Sequence, residues 1–131
     1  MDYHSFIGQI QHRARLGTTE DAIHITRATL STLGERLLED EKKDLAAQLP
    51  GELQHYLEEV ESGQKFTLDE FIKRICDREG NEANDAMYHM RVVFEVLQEA
   101  VSAGEMDQVK DQLPEDFAPF FEAGSSGKLN A

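Results

Sequence analysis

The chain has 131 residues, of which 40% are apolar and 30% are charged, a balance typical of one compact globular domain. The 26 acidic residues outnumber the 13 basic ones and leave a formal charge of -13. This charge argues against binding to nucleic acid or to an anionic membrane, because both require a basic face. The single cysteine, Cys76, excludes an intramolecular disulfide and a four-cysteine metal site. Without a signal-peptide pattern or a long apolar run, we expect a cytoplasmic protein.

The first half of the chain has the spacing of four helices and no strand pattern. The first predicted helix spans Asp2 to Ala14, because its apolar residues recur at the i, i+3, i+4 and i+7 positions of one face. The second and longest spans Thr19 to Leu38, and the third, a short one, spans Glu41 to Gln48. The fourth begins at Pro50, since proline suits the first helical position.

The second half predicts four similar helices. The fifth helix spans Leu68 to Glu79 and follows a capping box that opens at Thr67. The sixth carries an apolar column from Ala86 to Val101, the seventh spans Glu105 to Gln112, and the eighth begins at Pro114.

The connecting segments are recognised by their small and polar residues. Ser62 to Gln64 and Ser102 to Gly104 are predicted to be loops, and residues 123–131 a flexible Gly/Ser-rich tail. Within that tail, Gly124 to Lys128 superficially resembles the end of a phosphate-binding loop. We discount it because the preceding strand and the earlier glycine are missing.

The two halves of the chain resemble each other at an offset of 64 residues. Segments 21–58 and 85–122 share ten identical residues at this offset, where average composition gives about two or three by chance. From this similarity and the helical spacing of both halves, we predict an all-α fold of eight helices. Two tandem four-helix pseudo-repeats, about 2–61 and 67–122, pack into one compact bundle over residues 1–122. The identical pairs are Asp21/Asp85, Ala22/Ala86, Arg27/Arg91, Leu33/Leu97, Glu35/Glu99, Glu41/Glu105, Gln48/Gln112, Leu49/Leu113, Pro50/Pro114 and Glu58/Glu122.

The duplicated polar residues are the first candidate site. Arg27 and Arg91 lie in the middle of the second and sixth helices, where a guanidinium can pair with a repeated acid. The acids considered are Glu35, Glu41, Glu99 and Glu105. We favour a structural clamp between helices, and the alternative is an anion-binding pocket. The repeated Gln48-Leu49-Pro50 and Gln112-Leu113-Pro114 are predicted to be helix corners.

Two acid–histidine pairs have the Glu-x-x-His type of spacing used by dimetal helical bundles. They are Glu52 with His55 and, with a shorter acid, Asp21 with His24. The second half has no histidine at the equivalent positions, so solvated helix faces are the favoured interpretation. Cys76 is interpreted as a small buried hydrophobe, with a redox-sensitive thiol as the alternative. We expect no cofactor.

Several of these segments resemble a known family. The resemblance covers about residues 3–122, nearly the whole chain, and is to the bacterial domain-of-unknown-function 2267 family. It implies an all-helical, internally duplicated fold and brings no established activity, catalytic residue or cofactor; some members look like stress-associated accessory proteins. The segments that carry it are Ala22 to Leu37, Asp44 to Pro50, Phe71-Ile72, Val92 to Leu97 and Gln112 to Pro114.

These observations favour a non-enzymatic cytoplasmic interaction or adaptor module, and the family resemblance suggests an association with stress in bacteria. The fourth and eighth helices carry adjacent large apolar residues, at 53–57 and 118–121. They could be buried between the two units, which we favour for Leu57 and Phe121, or exposed for a protein partner or for self-association, as a monomer or a homodimer. A basic protein partner would complement the acidic chain. The alternatives are a small-ligand or metal-binding bundle and a purely structural homo-oligomer.

Overall fold

A computed structural model describes residues 1–122, and within them the regular elements are eight α-helices and one 3-10 turn. The predicted all-α class with eight helices is therefore confirmed for this part of the chain. The predicted tail at 123–131, with its Gly124 to Lys128 motif, lies outside the described residues. The helices are α1 (Tyr3–Arg13), α2 (Thr19–Arg36), α3 (Glu39–Ala47), α4 (Gly51–Glu58), α5 (Leu68–Glu79), α6 (Ala83–Ala100), α7 (Ala103–Asp111) and α8 (Ala118–Glu122), with the 3-10 turn at Glu115–Phe117.

Side-chain caps fix several helix starts. The Thr67 hydroxyl accepts the Glu70 N–H at 3.2 Å, and the Thr18 hydroxyl accepts the Asp21 N–H at 3.1 Å. Each cap satisfies one of the backbone donors that a helix start leaves unpaired. Gly80 ends α5 in the left-handed conformation, at φ 75°. The predicted bounds of α5 are confirmed, since both of its ends carry local signals.

The predicted loop at Ser102 to Gly104 is wrong. Ser102 is the N-cap of α7, and its hydroxyl accepts the Glu105 N–H at 3.2 Å, so the helix already begins at Ala103. Gly104 is helical despite its low helix propensity, because the cap and the packing of α7 outweigh that cost. The eighth helix also begins later than expected: the 3-10 turn follows Pro114 and α8 starts only at Ala118.

The core lies around the two long helices. Helix α2 packs against α1, α4, α5 and α6, and α6 also contacts α1, α5 and α8. Gly34 lets α4 approach α2 closely, because a Cβ there would lie 2.8 Å from the Leu57 carbonyl oxygen. Phe94 stacks on Phe121 with ring centroids 4.4 Å apart, which ties α8 to α6. No described helix is long and apolar enough to cross a membrane.

Candidate functional site

An apolar groove lies between the end of α7, the 3-10 turn and α8. Its volume is about 320 Å³. Leu113, Phe117 and Phe121 line it, although each of them is largely buried in the core. The groove is thus an opening that reaches the edge of the core.

One replacement between the two halves changes the contacts of the repeated corner beside the groove. In the first half, Gln54 donates from its amide nitrogen to the Leu49 carbonyl oxygen at 3.1 Å and so covers the Gln48-Leu49-Pro50 corner. The residue 64 positions later is Ala118, which lines the groove and has no side chain long enough for this bond. The corner in the second half therefore lacks this hydrogen bond.

The rim of the groove is mainly acidic. Asp111, Glu115 and Glu122 are exposed along it. The half-buried Lys110 places its ammonium 5.3 Å from the centre of the Phe121 ring, a cation–π contact that holds this lysine over the groove floor. An apolar floor inside an acidic rim complements a basic, amphipathic segment.

A second polar feature is a carboxylate cluster where α3 meets α7. Glu41 and Glu105 are each 7% exposed, and Asp44 beside them is exposed. One oxygen from each of the three carboxylates lies within 4.8 Å of the others. Burial raises the pKa of Glu105 to about 8, and its hydrogen bond to Glu41 and the charges of Glu41 and Asp44 add to the effect.

The glutamines of the two corners, Gln48 and Gln112, form hydrogen bonds across the contact between α3 and α7. The Gln48 side-chain oxygen accepts the Ser102 N–H at 2.8 Å, and the Gln112 oxygen accepts the Leu38 N–H at 2.9 Å. Leu38 and Ser102 are the N-cap residues of α3 and α7. Each glutamine therefore satisfies the N-terminal donor of a helix in the other half of the chain.

The predicted arginine pair is split by the structure. Arg27 is 57% exposed, makes two 3.1 Å bonds to Glu59, and lies over the Tyr56 ring. Arg91 is 4% exposed, lies over the Tyr88 ring, and has a buried Nε without a hydrogen-bond partner in the described residues. The prediction that Arg27 pairs with a repeated acid is wrong, because its partner is Glu59 at the end of α4. The structure therefore does not bring the two arginines into one anion pocket with the repeated acids.

The first predicted acid–histidine pair lines a cleft of about 400 Å³. Asp21 and His24 are exposed there, and His24 Nε2 lies 3.1 Å from the Glu79 carbonyl oxygen. The same cleft contains a pair that the sequence analysis missed: His89 Nδ1 lies 2.7 Å from Glu79 Oε1, and both residues are buried. Residues ten positions apart on different helices give no spacing signal, which is why the pair was missed.

The second predicted pair, Glu52 and His55, is exposed on α4. In the described residues, neither acid–histidine pair belongs to a group of three metal-ligating side chains; the group found is Glu41, Asp44 and Glu105.

Cys76 is half-buried in α5. Burial raises the pKa of its thiol, with Glu79 and Asp77 adding to the rise, which disfavours the reactive thiolate. A nearby cation would stabilise a thiolate, but the neighbouring Arg74 and Arg78 donate to Glu35.

Comparison with known proteins gives a family. A family model described as an uncharacterized conserved protein (DUF2267) matches residues 3–120. The chain belongs to the DUF2267 family. No curated protein matches it. The description of the family names no activity, so the function has to be argued from the geometry of this DUF2267 chain.

Proposed function

We propose that the protein is a non-enzymatic cytoplasmic interaction module that binds an apolar side chain from a basic segment of a partner protein. The groove between α7 and α8 carries this proposal, because it joins an open apolar floor to an acidic rim. Phe117 and Phe121 supply the floor, and core packing already fixes both rings. A rigid aromatic floor costs little conformational entropy on binding, which favours a short anchoring segment as the occupant.

The charge around the groove indicates which residues a bound partner segment would carry. The three exposed rim acids face one lysine that is engaged with Phe121, and the whole chain carries a formal charge of -13. Lysine or arginine beside the anchoring side chain would be attracted to this rim, and acidic neighbours would be repelled. We therefore expect a partner segment with a Leu or Phe anchor between basic residues.

The test is a peptide titration followed by ¹H–¹⁵N chemical shifts of the full chain. The probes are three synthetic peptides with the same central phenylalanine, flanked by lysine, serine or glutamate. We expect the lysine-flanked peptide to shift the amides of residues 110–122 most strongly and the glutamate-flanked peptide least. Lysine-flanked binding should weaken as salt is raised, since the rim charges are solvent-exposed.

The matched control fills the groove with a side chain that the other half of the chain already uses there. Ala118→Gln should place an amide over the Leu113 carbonyl as Gln54 does over Leu49, and should abolish the shifts while leaving the fold intact. Peptide-induced shifts that miss residues 110–122, or that persist in Ala118→Gln, would refute the docking proposal. Shifts that depend on protein concentration alone would indicate self-association instead.

We also propose that two tandem four-helix units, about 2–61 and 67–122, pack as pseudo-equivalents in one compact bundle. The equal lengths of α2 and α6 and of α3 and α7 support this arrangement. The reciprocal bonds of Gln48 and Gln112 support it further, because both donor and acceptor positions repeat at the same 64-residue offset. The stress association suggested by the family resemblance stays a prediction.

A further inference from the structure

Glu41 and Glu105 do not form the capping hydrogen bond that glutamates at their positions in a helix commonly form. Each is the third residue of its helix, the position from which a glutamate commonly reaches back to the N-cap N–H. Here those N–H groups, on Leu38 and Ser102, are taken by the glutamine side chains from the opposite half. Both glutamates are thereby freed to face each other across the α3–α7 contact.

This arrangement leaves buried polar atoms unsatisfied. One oxygen of Glu41 and one of Glu105 are buried without a hydrogen-bond partner among residues 1–122. The nearest lysine in sequence, Lys42, is occupied elsewhere: its ammonium donates to the Val60 carbonyl at 2.9 Å and lies 3.4 Å from Glu39. Buried carboxylates require a proton, a paired cation or a metal ion.

A proton on Glu105 would satisfy only part of this cluster. Burial and the neighbouring acids raise the pKa of Glu105 to about 8, but Glu41 keeps a buried oxygen without a partner among residues 1–122. Asp44 lies exposed at the edge of the pair and adds a third carboxylate. A divalent cation would contact the unpartnered buried oxygens and offset the charge that the three carboxylates bring together.

The separation of the oxygens fits a single ion. Two oxygens on one cation can lie at most twice the metal–oxygen distance apart, about 4.2 Å at 2.1 Å and about 4.8 Å at 2.4 Å. The three carboxylate oxygens lie within 4.8 Å of one another, so small side-chain movements bring them to one ion. A donor set made only of carboxylate oxygens selects hard cations such as Mg²⁺ or Mn²⁺, which keep waters in their remaining positions. The exposed side at Asp44 provides access for the ion and for those waters.

We propose that Glu41, Asp44 and Glu105 form a binding site for one hard divalent cation, which would link α3 to α7. The ion would bridge buried oxygens from both halves of the chain. The site is separate from the groove beside α8, so either proposal can fail without the other.

The test is a titration of the full chain with Mn²⁺ at neutral pH and physiological salt, with free Mn²⁺ measured by electron paramagnetic resonance. We expect one saturable ion per chain and a rise in the melting temperature on binding. Glu105→Gln and Asp44→Asn should each weaken binding by about tenfold or more. Glu105→Gln should still fold, because its amide can donate to Glu41 and keep the hydrogen bond between the two side chains.

The matched control is Asp40→Asn, which removes an exposed acid from the same turn of α3 and should leave Mn²⁺ binding unchanged. Equal Mn²⁺ affinity in Glu105→Gln, Asp44→Asn and Asp40→Asn would assign any binding to the diffuse acidic surface and overturn the proposal. Wild-type protein that shows no saturable binding into the millimolar range would also overturn it and leave the pair held by a proton alone.

Discussion

The replacement of Glu105 by glutamine should change how the stability of the protein depends on pH. In the folded protein the pKa of Glu105 is about 8, against a usual value of 4.5, because the side chain is buried beside Glu41 and Asp44. Between these two pH values the folded state binds more protons than the unfolded state, so the free energy of unfolding falls as pH rises. The stabilising contribution is complete below the unfolded pKa and is lost as pH rises through the folded one.

The size of the effect follows from the difference between the two pKa values. The full difference corresponds to at most about 5 kcal/mol, and solvent access through Asp44 should reduce the observed loss to about 2 kcal/mol. Glu105→Gln cannot lose a proton, so its stability should stay nearly level over this range. The variant should then exceed the wild type in stability above about pH 8.

Urea unfolding followed by circular dichroism measures this directly at a series of pH values from mildly acidic to mildly basic. Asp107→Asn, which changes an exposed acid on the same helix, should follow the wild-type curve. If the free energy of unfolding depends on pH in the same way for wild type and Glu105→Gln over the whole range, the predicted effect of the Glu105 pKa is wrong. That result would mean that Glu105 titrates alike in the folded and unfolded chains and that the buried acid pair does not exist in solution.

Three further substitutions test the packing, each by urea unfolding. Gly34→Ala should lower the free energy of unfolding by about 1 to 3 kcal/mol, since its Cβ would press on the Leu57 carbonyl. Its control, Gly8→Ala, faces open space and should raise the free energy of unfolding by up to about 1 kcal/mol. Equal stabilities of the two variants would contradict the close approach of α4 to α2. Gln48→Ala should lose about 1 kcal/mol, because the α7 N-cap loses its acceptor, and no loss would mean that water replaces that bond. Arg27→Met removes an exposed ion pair and should cost less than about 1 kcal/mol; a larger loss would indicate a deeper structural role.

Local signals were enough to predict most of the fold. Helix α5 could be placed because Thr67 caps its start and Gly80 ends it, and both effects act within a few residues. The start of α7 was missed because Ser102 and Gly104 are typical of loops, and the packing that favours the helix is not local. The long helices α2 and α6 followed from their apolar columns, which depend only on helical period.

The candidate sites depend on contacts between helices, which a sequence does not display. The similarity of the two halves puts Glu41 and Glu105 at equivalent positions, and we predicted arginine partners for them because a buried arginine is normally paired. It could not show that Gln48 and Gln112 would occupy the N-cap donors and release those acids. The groove could not be predicted from the sequence either. The sequence does not show that Gln54 donates to the Leu49 carbonyl, or that Ala118 at the equivalent position lacks this bond.

Fluorescence anisotropy can compare the affinity of the lysine-flanked phenylalanine peptide for the wild-type chain and for Ala118→Gln. We expect saturable binding to the wild type and an affinity lower by about tenfold or more in the variant, since the glutamine occupies the volume that the phenylalanine would fill. Equal affinities, with both proteins equally stable, would show that the groove between α7 and α8 is not the docking surface.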